Sequence, residues 1–142
     1  MIRKRQSVRN YLSIFVHAAA LVSIGCGAQG PQLAPVQGRV LLDGQPLKTG
    51  QILTQPPAGR GANGAIQSDG SFQLSSGREP GALVGTHSVA VVAYDGDTSG
   101  APEASQGKLL VPQRYTNADT SGLIMEVTPG ENTPTIELTS AK

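Results

Sequence analysis

Short runs of alternating apolar and polar residues, separated by glycine, proline or Asp-Gly, recur along the chain from residue 36 onwards. A period of two is typical of strands with one buried face, and no stretch carries a sustained helical period. We therefore predict about seven short strands, drawn from eight candidate segments: 36–42, 51–54, 65–68, 71–74, 86–94, 109–112, 122–127 and 135–138.

The pattern also predicts which residues face the core. Period-two spacing places Val36, Gly38, Val40 and Leu42 on one face, and Asp43-Gly44 then predicts a hairpin turn. A second hairpin is expected where Asp69-Gly70 joins 65–68 to 71–74, with Phe72 and Leu74 pointing inward. Segment 86–94 is apolar on both faces, which predicts a strand in the middle of a sheet. Short strands with frequent turns favour an all-β, antiparallel β-sandwich.

The first 25 residues have a different pattern. Four basic residues lie within the first ten, 11–24 is almost wholly apolar, and Gly25-Cys26-Gly27 follows. The order basic, apolar, small is that of a signal peptide. The apolar stretch is shorter than the roughly 20 residues that a permanent membrane span requires. We predict that residues 1–25 are an export signal.

Ser23-Ile24-Gly25-Cys26 resembles the lipobox of bacterial lipoproteins, although that pattern prefers leucine where Ser23 stands. The resemblance implies cleavage after Gly25 and attachment of diacylglycerol to the Cys26 thiol, so that a membrane would hold the mature chain. Two alternatives stay open: cleavage after Ala20 or Ala28, which releases a soluble exported protein, and an uncleaved anchor.

Charge and cysteine content narrow the function classes. The whole chain has a formal net charge of +1, but all four basic residues of the signal leave with it, so the mature part carries seven basic against ten acidic residues. No nucleic-acid partner is therefore expected. The single cysteine excludes an intrachain disulfide and every multi-cysteine metal site. Residues 26–35 are rich in glycine, proline and small residues, which predicts a flexible tether before a domain at 36–142.

Several segments resemble a known family. The residues from Val36 to Leu47, then Ser68-Asp-Gly-Ser-Phe72, are similar to the carboxypeptidase-regulatory-like, transthyretin-like β-sandwich modules of exported bacterial proteins. The similarity extends to 85–89, 111–116, 120–123 and 127–130. It implies a small bacterial lipoprotein built from one such module, with a scaffolding or adhesive role and no peptidase activity. The family name describes a domain shape, so it specifies no ligand.

The residue inventory argues against catalysis. A zinc peptidase needs several histidine and carboxylate ligands, whereas the mature chain has one histidine, His87. His87 shares its register with Val89 and Val91 in a predicted strand, which favours a structural, hydrogen-bonded histidine. The chain has no Gly-x-Ser-x-Gly motif for a serine nucleophile. We predict a protein that is not an enzyme and that needs no cofactor and no metal.

Two places offer binding chemistry. Asp95-Gly-Asp97, with Glu103 and Asp119, has carboxylates that suit calcium, although Asp-Gly is also an ordinary turn pair and the spacing matches no EF-hand. Arg114-Tyr115 could contact a sugar or a partner protein, or Tyr115 could instead anchor a sandwich corner through its hydroxyl.

The resulting prediction is an exported, lipid-anchored, non-catalytic β-sandwich module with a structural or binding role at the cell envelope. The alternative is a secreted module that binds a carbohydrate or protein ligand through the loop 95–106 and Arg114-Tyr115. The absence of tryptophan and the scarcity of aromatic residues weigh against a sugar. An enzyme is the third and least favoured prediction.

Overall fold

The structure, a computed structural model, describes residues 30–96 and 107–141. Within them the chain forms short strands, one 3-10 turn, η1 (Gln113–Thr116), and one α-helix, α1 (Ala118–Ser121). The strands are β1 (Leu33–Ala34), β2 (Gln37–Leu42), β3 (Gln45–Pro46), β4 (Gln51–Gln55), β5 (Ala62–Ala65), β6 (Ser71–Gln73), β7 (Ser75–Ser76), β8 (Glu79–Pro80), β9 (Ala82–Leu83), β10 (Gly85–Val92), β11 (Leu123–Val127) and β12 (Thr135–Leu138).

Two main sheets enclose the core, which confirms the all-β sandwich. The large sheet has the order β11-β10-β4-β5-β7-β8, and the small sheet has the order β12-β2-β3 with β6 also paired to β2. Strands β1 and β9 form a separate two-stranded pair. The strand segments outnumber the seven predicted from sequence because several contain only two residues, too few to show alternation.

Strand β10 lies inside the large sheet, as its apolar character on both faces predicts. It pairs with β4 on one side and β11 on the other, both antiparallel. Val89 and Val91 are fully buried against the small sheet, and Ala90 on the opposite face is also buried. A strand covered on both faces needs apolar residues at consecutive positions, which is what this sequence supplies.

One pair departs from the antiparallel prediction. Strand β12 runs parallel to β2, with Thr135 opposite Arg39 and Leu138 opposite Leu42. The chain reaches this position by crossing from the large sheet, where β11 ends at Val127, to the far edge of the small sheet. Such a connection leaves no hairpin turn between the paired strands, so the local sequence carries no sign of it.

The two predicted Asp-Gly turns are present. Asp43 and Gly44 both have positive φ, 50° and 79°, and form a two-residue loop between β2 and β3. This is the geometry of the hairpin turns that match strand twist. At the second turn the loop has three residues, Ser68 to Gly70. It connects the two sheets: Ile66, which follows β5 of the large sheet, forms a bridge with Phe72, whereas β6 pairs with β2 of the small sheet.

Three boundaries differ from the sequence predictions. The predicted strand 65–68 begins earlier, as β5, and Gly64 is required there because a Cβ would collide with the carbonyl oxygen of Gln73. In the predicted strand 109–112 only Leu109 pairs, with Tyr94, because Pro112 has no N–H and leads into η1. Leu33 and Ala34, at the end of the predicted tether, form β1 and pair with β9, and Ala34 is 1% exposed.

The inner faces of the two sheets form one continuous core. Phe72 and Leu74 are 3% and 0% exposed, so both point inward as predicted. Val36 and Val40 of the predicted β2 face are also fully buried. The remaining core side chains come from both sheets and from the segment before η1, and include Ile52, Val89, Val91, Val111, Met125, Val127, Ile136 and Leu138.

Candidate functional site

The side of the large sheet that faces away from the core is incompletely covered. Alternation along β4 turns Ile52 and Thr54 inward and leaves Gln51, Leu53 and Gln55 facing outward. Leu53 is 40% exposed, although it lies near the middle of the sheet between β5 and β10. We call the depression above these residues the outer cleft.

The segment from η1 to α1 forms one wall of the outer cleft. The Asn117 side chain accepts a hydrogen bond from the Asp119 amide at 2.8 Å and so caps α1, while Gly122 ends the helix with a left-handed φ of 68°. Ser121 donates its hydroxyl hydrogen to the carbonyl oxygen of Val89 at 2.5 Å. This buried bond fixes α1 on β10 and turns Asp119 towards the cleft, where it is a lining residue.

The other wall is formed by the end of β10 and by Tyr94, two residues beyond it. Tyr94 is half-buried, bridges Leu109 through its backbone, and borders a space of about 570 Å³ together with Val92 and Ala65. A second space of about 440 Å³ lies between β4 and α1. Gln51 and Leu53 line both spaces, so the two are parts of one cleft.

Arg114 and Tyr115 lie elsewhere, against the end of β12. The Arg114 guanidinium donates to the carbonyl oxygens of Thr139 and Ala141, at 3.0 and 2.9 Å, and to the Tyr115 hydroxyl at 2.9 Å. Its carbon Cζ also lies 4.6 Å from the centroid of the Tyr115 ring. These contacts use most of the donors of Arg114 to fasten the C-terminal residues to η1.

Tyr115 has no ring face available for a ligand, because its side chain is 6% exposed. Its hydroxyl lies 3.4 Å from the Thr139 hydroxyl and accepts from the Thr139 amide at 3.2 Å. The bonds from Thr139, then that from Arg114, lower the pKa of Tyr115 to about 8 by stabilising the phenolate. The geometry fits the corner-anchoring alternative better than the predicted ligand contact.

His87 is fully buried at 0% exposure. Its Nε2 lies 2.7 Å from the carbonyl oxygen of Leu83, an acceptor, so the proton resides on Nε2. Nδ1 is buried and, within the described residues, has no hydrogen-bond partner. A side chain enclosed in this way cannot reach a substrate, and its role is to tie β10 to the end of β9.

Other predicted site residues fall outside the described part of the chain. These are Ser23, Gly25 and Cys26 of the lipobox, and Asp97 and Glu103 of the calcium candidate. Within 30–96 and 107–141, no three His, Cys, Asp or Glu residues cluster as metal ligands would. In the same ranges no helix has the length and apolar character needed to traverse a bilayer.

The outward face of the small sheet is a polar surface. A depression of about 570 Å³ there is lined mostly by polar residues, among them Arg39, Gln37, Gln73 and Thr135, with Phe72 and Pro134 as its apolar members. Alternating strands normally present polar side chains to water, so this face needs no ligand to explain it. It provides an internal comparison for the outer cleft, where apolar side chains face outward.

The outer cleft is not among the sites predicted from the sequence. Loop 95–106 and Arg114-Tyr115 were the predicted contacts, whereas the structure places their neighbours Tyr94, Thr116 and Asp119 around the cleft. A signal was present in Asn117 and Gly122, since asparagine before and glycine after a short polar segment indicate a capped helical turn. A four-residue helix, however, is too short to show a helical period.

No protein-family model and no curated protein matches the chain. Among solved structures, it is similar to a DUF3823 family protein from Parabacteroides merdae, at 14% sequence identity and a TM-score of 0.41. The similarity covers 77% of this chain and 47% of that one, so the chain spans about half the length of its structural neighbour.

Proposed function

We propose that the chain is an exported, lipid-anchored, non-catalytic β-sandwich module with a binding role at the cell envelope, of the small lipoprotein type with a carboxypeptidase-regulatory-like domain. The observation that carries the proposal is the distance in sequence between its only cysteine and its first strand. Cys26 directly follows the apolar stretch, and β1 begins at Leu33. Seven residues extend at most about 25 Å, so a lipid on Cys26 would hold the domain close to the membrane.

The absence of catalysis in this proposal rests on His87. Removal of residues 1–25 leaves His87 as the one histidine, and its imidazole is buried and bonded to Leu83. General acid–base or metal chemistry with an imidazole requires access to a substrate. We expect His87→Ala to lower stability and to leave partner binding per folded molecule unchanged.

Lipid attachment is tested by intact mass and detergent phase partitioning of the full chain expressed in a bacterium that processes lipoproteins. We expect a diacylglyceryl mass increment after cleavage before Cys26, and partitioning into the detergent phase, because two acyl chains give stable anchoring. Cys26→Ser removes the only thiol and should abolish both. Ser7→Ala, in the basic start of the signal, is the matched control that keeps both. An unmodified wild-type protein in the aqueous phase would refute the anchor.

A second candidate is a secreted module that binds a ligand without a lipid anchor. Ser23 favours it, because the lipobox pattern prefers leucine at that position. The two candidates share the domain and differ only in the fate of Cys26. The same mass measurement therefore decides between them.

A further inference from the structure

The floor of the outer cleft is apolar. Leu53 is 40% exposed, and Val92 and Tyr94 are half-buried on the same face of the large sheet. The register places them together: Leu53 lies opposite Ala90, and Val92 lies opposite Gln51, the next outward residue of β4. Apolar side chains held at the floor of a depression present a surface that a ligand can cover.

Amide side chains surround this floor. Gln51 and Asn63 are exposed, and Asn63 lies directly opposite Leu53 on β5. Among the described residues, neither amide has a hydrogen-bond partner within the fold. Each side-chain amide can donate and accept hydrogen bonds at the same time. Hydroxyl groups also do both, so they are suitable partners for these amides.

The charge of the lining disfavours anionic ligands. Asp119 is the only ionisable acid among the described residues of the cleft, and the same lining contains no lysine and no arginine. A ligand with phosphate or carboxylate groups would meet a negative charge and no cation. A neutral ligand with many hydroxyl groups fits, and Asp119 can accept hydrogen bonds from it.

We propose that the outer cleft binds a neutral carbohydrate, with the Tyr94 ring and Leu53 against the C–H face of a sugar and Gln51 and Asn63 on its hydroxyl groups. This inference rests on the proposed binding role and names its ligand class. It differs from the site predicted from sequence, because Arg114 and Tyr115 take no part. It needs no lipid on Cys26, so the two proposals can fail separately.

The test is titration calorimetry of the full chain in detergent micelles with three neutral probes: maltohexaose, cellohexaose and hexa-N-acetylchitohexaose. Hexagalacturonate, which has a carboxylate on every ring, is the charge control. We expect saturable binding of at least one neutral probe and none of hexagalacturonate. No binding of any neutral probe, or equal binding of hexagalacturonate, would overturn the proposal.

Variants then locate the site. Gln51→Ala and Asn63→Ala remove exposed amides without touching the core, and each should weaken binding about tenfold, the effect of one lost hydrogen bond of about 1.4 kcal/mol. Tyr94→Ala should weaken it at least as much. Gln73→Ala, on the polar face of the small sheet, is the matched control and should bind as the wild type. Unchanged binding by the Gln51 and Asn63 variants, or an equal loss in the Gln73 variant, would contradict a site in the outer cleft.

Discussion

The Asp43 carboxylate accepts a hydrogen bond from the backbone N–H of Ser140 at 2.9 Å, across 97 positions of the sequence. Asp43 occupies the tight turn after β2, and Ser140 follows β12, the parallel neighbour of β2. The bond therefore fixes the end of the last strand to the turn of the first hairpin. Hydrogen bonding to the Ser140 side chain, and then this backbone bond, lower the pKa of Asp43 below its ordinary value of 3.8, because both favour the charged form.

The first prediction follows from this lowered pKa. Because the folded pKa of Asp43 lies below the unfolded value, the stabilisation is present above about pH 4 and is lost as the pH falls through the folded pKa. Asp43→Ala should lower the melting temperature at pH 7 for two reasons: the hydrogen bond to Ser140 is lost, and residue 43 has a positive φ that alanine tolerates poorly. Asp43→Asn keeps an acceptor and tolerates this φ, so it should be milder. A carbon-detected NMR titration that gave Asp43 an ordinary pKa would contradict the bond.

The second prediction concerns the Tyr115 hydroxyl. Tyr115→Phe removes the acceptor of Arg114 and Thr139 and should cost about 1–2 kcal/mol of unfolding free energy at pH 7. The folded pKa of about 8 lies below the unfolded value of 10. The stabilisation from the phenolate is therefore complete above pH 10 and is lost as the pH falls through 8.

Ultraviolet titration of phenolate absorbance tests this directly. The wild type should show a tyrosine transition near pH 8 that Tyr115→Phe lacks. The difference in stability between the two proteins should widen from pH 8 to pH 10. A transition that persists in the variant would assign it to another residue and contradict the prediction.

The third prediction concerns Gly38, at the centre of the small sheet. A Cβ there would collide with the carbonyl oxygen of Pro134 and lie 2.7 Å from Cζ of Phe72. Gly38→Ala should lower the free energy of unfolding by about 3 kcal/mol, because neither backbone nor a buried ring can move aside without strain. Gly30→Ala, where a Cβ meets nothing within 4 Å, is the control and should stay within about 0.5 kcal/mol in urea denaturation.

The fourth prediction concerns Asn132, which joins the start of the domain to the loop after β11. Its Nδ2 donates to the carbonyl oxygens of Pro35, Thr128 and Gly130, at 3.2, 2.9 and 2.9 Å. Asn132→Asp keeps the shape of the side chain but replaces the donating nitrogen with an oxygen that faces three carbonyl oxygens. It should lower the free energy of unfolding by about 2 kcal/mol. Gln73→Glu, an exposed amide-to-acid change, should be close to neutral. Equal melting temperatures for the two variants would show that the three bonds contribute little.

Local chemistry made part of this fold predictable. Asp43-Gly44 forms the expected turn because both residues adopt positive φ, and segment 86–94 lies centrally because it has few polar positions. The strand 135–138 was also correct in its bounds. In each case the structure is decided either by residues that are close together in sequence or by the burial of apolar side chains.

The alternation of apolar and polar residues does not predict long-range strand pairing or very short elements. Nothing near Thr135 indicates that it lies parallel to Arg39, since this pairing depends on a crossing between sheets. Leu53 has the pattern of an ordinary strand residue, and only the structure shows that it stays 40% exposed while its cross-strand neighbour Ala90 is buried. The sequence offered Tyr115 a corner role as the alternative to a ligand contact, and only the position of Thr139 shows that its hydroxyl is occupied.

The parallel pairing of β12 with β2 also has a kinetic consequence. The small sheet gains its outer strand only when residues 135–138 pair with β2, almost a hundred positions earlier in the sequence. The chain between the two strands loses conformational entropy when this loop closes, before the pairing provides any stabilisation. Folding of this domain should therefore be slow and should finish with its C-terminal segment. Until then Val40 lacks a strand at the outer edge of β2, and the unfinished chain is open to association with other chains.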